Sequence, residues 1–329
     1  MLHEVKFDSY NGRDEVTGWI YVPACEPEGI VQLVHGFGEH SRRYFHMIVA
    51  LMDAGFIVAA DDHVGHGATA IANDTWGDWG DAGQETMMED EKIFKDIVTE
   101  KYPDLPYFMF GHSMGSMIAR QFSAKYGDEL KGAIYCGTLG VFKMTDVVRP
   151  KIVAAIEAGQ AHESNPDFVA ELMGWMFARC EEGATLGNEW ICHDPYVQKD
   201  HAEDPFDAFT HPCHNQSVLY FIDMMLDIEG TQWAEKVPAD LPILCIAGDQ
   251  DPVGCWARAS TSATTGSWRP ATPTSPPSSI PAIATRSTTT TTSSSRSRTI
   301  SSPGSTTSTS TRSHTLMRRT PDGVFLCYF

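Results

Sequence analysis

Short runs of consecutive apolar residues alternate with longer stretches of helical periodicity along the first 250 or so residues. The runs at 30–34, 56–60, 106–110, 133–136 and 241–247 carry almost no polar alternation, as expected of strands covered on both faces. Residues 5–8 and 17–22, placed around Asn11 and Gly12, predict an opening hairpin. Between the later runs, residues 42–54, 90–102 and 114–126 have helical spacing and halt at Gly55, Pro103 and Gly127. Strict alternation of this kind predicts an α/β fold: a mostly parallel sheet with helices on both faces.

The rhythm changes at about residue 141. From there to 207 the chain reads as helical segments without strands, at 147–158 and 166–179, followed by the polar stretch WICHDPYVQKDHAEDPF. An insertion of that length between two sheet strands predicts a small helical lid. Its apolar cluster, Phe168, Leu172, Met173, Trp175, Met176 and Phe177, suits a face turned to a ligand pocket and suits packing on the main domain equally well. A helix at 217–228 then leads to the last apolar run. The expected organisation is a core of 1–140 and 208–254, a lid of 141–207, and a tail of 255–329.

Composition sharpens the last boundary. The chain of 329 residues has a net charge of −19, but residues 1–254 alone carry −26 and residues 255–329 carry +7, with Asp322 the single acid of the tail. The acidic part offers no basic stripe for phosphate contacts, so nucleic acid is excluded as a partner. The start, MLHEVKFDSY, lacks a basic and then apolar leader, and no run of apolar residues is long enough for stable membrane insertion. Eight cysteines without CxxC spacing, some of them (Cys136, Cys245) in apolar runs, read as reduced thiols of a cytoplasmic protein.

The candidate chemistry is concentrated in YFMFGHSMGSM, residues 107–117. Apolar residues run into Gly111, His112, Ser113, Met114 and Gly115, and a helical pattern starts at once. This is the layout of a nucleophile elbow, in which a serine at the tip of a strained turn needs small neighbours. Acyl transfer by serine also needs a base, a carboxylate to hold that base, and backbone N–H groups for the oxyanion. Asp251, after the late strand, is the candidate acid; Asp249 competes with it, and both suit a turn.

With these pieces in place, the chain resembles the monoacylglycerol lipase and lysophospholipase branch of the α/β-hydrolase superfamily. The matching segments are HGFGEHSRRY (35–44), DDHVGHG (61–67), GHSMGS (111–116), DPF (204–206) and GDQDPVG (248–254), in the family's order. The resemblance covers residues 1–254. It implies Ser113 as nucleophile, Asp251 as triad acid, and the amides of Phe37 and Met114 as oxyanion donors. It further implies a small-molecule ester or lipid substrate, a monoacylglycerol or a lysophospholipid, and positioning roles for His35 and His112. No cofactor is implied. His63 and His66 are expected to order their turn by hydrogen bonds, and His193, His201, His211 and His214 are expected as polar surface rather than a metal site.

Beyond Gly254 the pattern departs from that family. The tail is about half Ser and Thr, has no Lys, and holds His314 as its one histidine, so the base expected in a glycine-bounded loop has no evident counterpart. Such a composition cannot bury enough surface to offset its ordering entropy, which predicts a disordered tail. A mucin-like stalk or flexible tail is the ordinary reading of such a composition, and a reading-frame slip near codon 254 is the preferred hypothesis. Thr285, Arg286, Ser287 and Thr288 can be encoded ACG AGA TCC ACN, which one base upstream reads NAC GAG ATC CAC, compatible with His-Glu-Ile-His. Two other readings stay open: a binding or scaffold protein that keeps the pocket, and an acyltransferase or peptidase on the same scaffold.

Overall fold

In the computed structural model the described residues are 1–140, 144–175, 186–192, 194–207, 211–248 and 251–253, with the backbone of two short strands near the C-terminus. Seven strands form one sheet in the order β1-β2-β4-β3-β5-β6-β7: β1 Leu2–Asp8, β2 Glu15–Tyr21, β3 Gly29–Val34, β4 Phe56–Asp62, β5 Tyr107–His112, β6 Gly132–Cys136 and β7 Ile243–Ile246. β1 and β2 pair antiparallel, as does β2 with β4, and every later pairing is parallel. The mostly parallel α/β sheet expected from the sequence is therefore the observed one.

Burial explains the reading. All six residues of β3 and all seven of β4 are buried, which is why their sequences are continuous apolar runs. Each fully buried Val, Ile or Leu there contributes roughly 1.5–3 kcal/mol relative to exposure. β1 alternates, with Val5 half-buried and Phe7 buried between exposed neighbours, as an edge strand with one wet face should.

The helices are α1 Phe45–Asp53, α2 Gly67–Asn73, α3 Thr86–Lys101, α4 Met114–Tyr126, α5 Thr145–Glu157, α6 Pro166–Met173, α7 Pro195–Glu203 and α8 Asn215–Asp227. α4 has the bounds expected of it. The segment read as helical from 42 opens instead with a 3-10 turn, Ser41–Tyr44, before α1. α2 and α7 were not expected. α2 follows the glycine-rich turn directly, and α7 hides in a polar stretch, where Asp194 caps it by accepting from the Tyr196 N–H at 2.9 Å and Pro195 occupies its first position.

Between β6 and β7 the described residues carry helices and no sheet strand. By contacts the chain divides into two units, 1–282 and 283–329. In the second, β8 Met317–Arg319 and β9 Phe325–Cys327 pair antiparallel, so the tail contains at least this one ladder. The rest of the tail expected to be disordered, His314 included, lies outside the described residues, as do Asp249, Met176, Phe177 and His193. Cys25, Cys136, Cys192, Cys213 and Cys245 are free thiols, of which Cys213 is buried and Cys25 exposed. Among the described residues no helix is long and apolar enough to cross a membrane.

Candidate active site

Five parallel strands, β3 to β7, deliver their C-terminal ends to one edge of the sheet, and the residues of interest follow those ends. β5 leads into Ser113, which adopts φ 52° and ψ −118°, a region that a non-glycine residue occupies only when its surroundings impose it. The turn is tied by the Ser113 N–H donating to the Cys136 carbonyl at 2.9 Å and by the Ser116 hydroxyl donating to the Ser113 carbonyl at 2.6 Å. A methyl at Gly111 would sit 2.2 Å from the Gly115 carbonyl oxygen, and one at Gly115 would sit 2.1 Å from that of Val34. The glycines are thus required by close backbone approach. Ser113 itself remains half-exposed.

Met114 is the first residue of α4, where backbone N–H groups have no partner within the helix. Across from it runs the loop after β3. A methyl at Gly36 would lie 3.1 Å from Ser113 Cβ, so the backbone just before Phe37 abuts the elbow. The Phe37 ring is anchored away from that backbone, stacked on Phe221 at 4.7 Å and edge-on to Trp79.

Glu39 fixes this loop. One of its oxygens, Oε1, accepts from the Gly36 N–H at 2.7 Å, from the Tyr44 hydroxyl, and from His112 Nδ1 at 3.1 Å. Burial alone would raise the Glu39 carboxyl, but the His112 imidazole, the Tyr44 hydroxyl and the Gly36 amide together pull it down to about 2. His112 answers in the opposite direction. Burial lowers its imidazole, yet the hydrogen bond and charge of Glu39, with Asp251 behind, hold it above the usual histidine value.

Asp251 follows β7. Its Oδ1 accepts from the Val253 N–H at 2.8 Å, and its N–H donates to the Gly248 carbonyl at 3.2 Å. Gly137, at φ +53°, separates it from His112: a methyl there would stand 3.4 Å from His112 Nε2 and 3.5 Å from Asp251 Oδ2. Ser113, Phe37, Met114 and Asp251 therefore gather at the carboxyl end of one sheet, where such folds collect their reactive groups.

A family model described as "Serine aminopeptidase, S33" matches residues 25–266. The chain belongs to this family. It is an α/β-hydrolase of the monoacylglycerol lipase-like branch, and by lineage a carboxylic ester hydrolase. A monoacylglycerol lipase of Mycolicibacterium smegmatis is 32% identical over 236 residues, covering 70% of this chain and 73% of that one. The monoglyceride lipase of Homo sapiens is 31% identical over 140 residues, 40% of this chain and 42% of the human protein. Among solved structures, a thermostable carboxyl esterase from Bacillus coagulans in complex with glycerol is 53% identical with a TM-score of 0.78, over 80% of this chain and 85% of that one.

The remaining histidines of the hydrolase's active-site edge have structural partners. His35 Nδ1 donates to the Gly36 carbonyl at 2.8 Å, and its Nε2 accepts from the His63 N–H at 3.0 Å. Burial, with His63 and His66 close by, keeps the His35 ring well below its ordinary pKa and so neutral. His66 Nδ1 bonds the Val64 carbonyl, so this turn is indeed ordered by its histidines. His201 is buried rather than on the surface, 3.7 Å from Asp207, because α7 packs where Arg43 joins Asp200 and Asp204. Reading the sequence alone missed Glu39 and Tyr44. Both lie in the HGFGEHSRRY segment, and an acid three residues beyond Gly36 was the available signal.

Proposed function

We propose that the chain carries the acyl-transfer half of a serine esterase acting on monoacylglycerols or lysophospholipids. Ser113 Oγ attacks the acyl carbon, and the oxygen that gains the charge lies between the N–H groups of Phe37 and Met114. The ester C–O bond then breaks, the alcohol leaves with the proton that the Ser113 hydroxyl gave up, and the acyl group stays on Ser113 until water hydrolyses it. Asp251 is the acid meant to orient the base. The helices between β6 and β7 are assigned to cover the acyl chain. The single observation that carries this reading is the positive φ of Ser113, a strain that a purely structural serine has no reason to bear. The substrate class is supported by the lipases to which the chain is similar.

A second reading, a binding protein that has lost turnover, is favoured by one observation: the tail contributes only His314 as a base. Triad members act as a unit, and without the base only the catalysis due to the oxyanion donors and binding remains. A fluorophosphonate probe, followed by a p-nitrophenyl ester assay, separates the two. Labelling at Ser113, with turnover abolished in Ser113→Ala, supports the esterase. Folded protein that neither labels nor turns over belongs to the second reading, and preference for an amide substrate or an amine acceptor would move the chain to the peptidase or acyltransferase side of its superfamily.

A further inference from the structure

Asp61 near the end of β4, His63 just beyond it and Glu91 on α3 form a group that the esterase reading leaves without a task. All three are at most 1% exposed. His63 Nδ1 stands 3.7 Å from Asp61 Oδ2 and 3.5 Å from Glu91 Oε1, and one donor atom from each residue lies within 4.8 Å of the others. His63 Nδ1 has no hydrogen-bond partner, and the oxygens that Asp61 and Glu91 turn toward it meet no donor other than the proton a neutral Glu91 shares with Asp61.

The other atoms of these side chains are occupied, and that fixes what the open ones present. Glu91 Oε2 accepts from Gln32 Nε2. His63 Nε2 faces the His35 carbonyl at 3.2 Å. A carbonyl only accepts, so Nε2 holds a ring hydrogen, and in the neutral ring Nδ1 then offers its lone pair toward the two carboxyls. Among the described residues no Lys or Arg is ion-paired with Asp61 or Glu91; the nearby Lys95 is taken by Glu129 at 2.7 Å. Two carboxylates ionised together at this depth need a positive charge to offset several kcal/mol of desolvation, and a bound cation would supply it.

We propose that Asp61, His63 and Glu91 bind a small divalent transition-metal cation, zinc being the best fit. Nitrogen and oxygen ligands at 2.0–2.1 Å define a tetrahedron whose edges are about 3.3 Å. The observed separations of 3.5 and 3.7 Å exceed that by a few tenths of an ångström, so small rotations close the site. The three residues supply one donor atom each, and two positive charges balance the two carboxylates. The hydrogen bonds of His63 Nε2 and Glu91 Oε2 are the outer contacts that orient metal ligands. The ion joins α3 to the end of β4 and touches none of the groups assigned to acyl transfer. Because the site is closed to solvent, it loads while the chain folds.

The test uses the full chain, unfolded and refolded with zinc or with chelator, and reads metal content and the thermal midpoint. One equivalent of zinc and a midpoint raised by several degrees are expected, both lost in Glu91→Gln. His162→Ala, which breaks the partly exposed group Asp78, His162 and His214, should leave both unchanged. Should Glu91→Gln fail to fold, X-ray absorption on the zinc-loaded wild type decides, with one imidazole and otherwise oxygen ligands expected. Refolded protein free of zinc with an unmoved midpoint would overturn the site and leave the two carboxyls sharing a proton. Zinc that is lost in His162→Ala, or a spectrum with sulfur or several imidazoles, overturns it equally. Neither outcome depends on esterase activity.

Discussion

The two flanks of Ser113 are built to different standards. On the oxyanion flank, every residue of β3 is buried, and the loop that follows is held by a carboxylate with three separate donors. On the acid flank, all four residues of β7 are only half-buried, and among the described residues β7 pairs with β6 alone. The neighbouring β6 is denser, with Ala133 and Tyr135 buried. β3 and β5 thus bring Ser113 and the backbone of Phe37 and Met114 to one edge, while Asp251 depends on β7, a half-buried strand at the margin of the sheet. The proposed nucleophile is therefore held firmly while the proposed acid is held loosely.

The sharpest way to break the comparison is a methyl on the strong flank. Gly115→Ala would drive its Cβ to 2.1 Å from the Val34 carbonyl, a backbone atom that cannot swing away. We expect a loss on the order of 3 kcal/mol or more, or no folded protein at all, read by urea denaturation. On the weak flank, Leu244→Ala removes a half-buried side chain and should cost only about 1–2 kcal/mol. Equal losses at the two positions would mean that the flanks do not differ.

Next in size is the removal of the Glu39 charge. Glu39→Gln takes away the partner that raises His112 and loosens the Gly36 amide, so the His112 pKa should fall, as read by NMR titration. Labelling of Ser113 by a fluorophosphonate should slow about tenfold, the scale of one misplaced oxyanion donor or less. An unchanged His112 titration would detach Glu39 from this role.

The same pair sets a pH window. Glu39, ordinarily at 4.5, is depressed to about 2 in the fold, so its contribution is complete above 4.5 and fades as the pH falls toward 2. His112 is raised above its ordinary 6.5, so its contribution is complete below 6.5 and is lost as the pH rises through the folded value. The stability difference between wild type and Glu39→Gln should accordingly be greatest between pH 4.5 and 6.5 and shrink on both sides. A difference that keeps growing above pH 8 would reverse the sign assigned to His112.

How far these flanks could be read from the chain follows the range of the forces involved. The elbow at 107–126 was legible because its signals are local: an apolar run, two glycines around a serine, and helical spacing at once. β7 was legible as an apolar run, but its half-burial was not, since that depends on what lies beside it. α2 was not legible: only its first residue, Gly67, belongs to the glycine-rich DDHVGHG turn, and the six that follow carry no strong helical signal of their own. α7 was missed although Asp194 and Pro195 are a cap and a first-turn proline, a signal the polar stretch around them concealed. The meeting of Glu39 with His112, 73 residues apart, and of Asp61 with Glu91 depends on sheet order and register, which no local pattern encodes.

The smallest effect probes the point where the flanks meet. Gly137 stands between His112 Nε2 and Asp251 Oδ2, and a methyl there would make contacts of 3.4–3.5 Å, ordinary packing distances. Its φ of +53° is a different matter, because a side chain in that region costs roughly 1–2 kcal/mol. Gly137→Ala should therefore lose about that much stability, well short of Gly115→Ala. Its diagnostic reading is electrostatic. If Asp251 acts on His112 across this gap, the methyl excludes solvent from the space between them and strengthens the coupling, so the His112 pKa should rise slightly further. If instead the loosely held acid is pushed aside, the His112 pKa should fall toward the value set by Glu39 alone. The direction of that small shift reports which of the two flanks yields, and it is measurable in the same titration that tests Glu39.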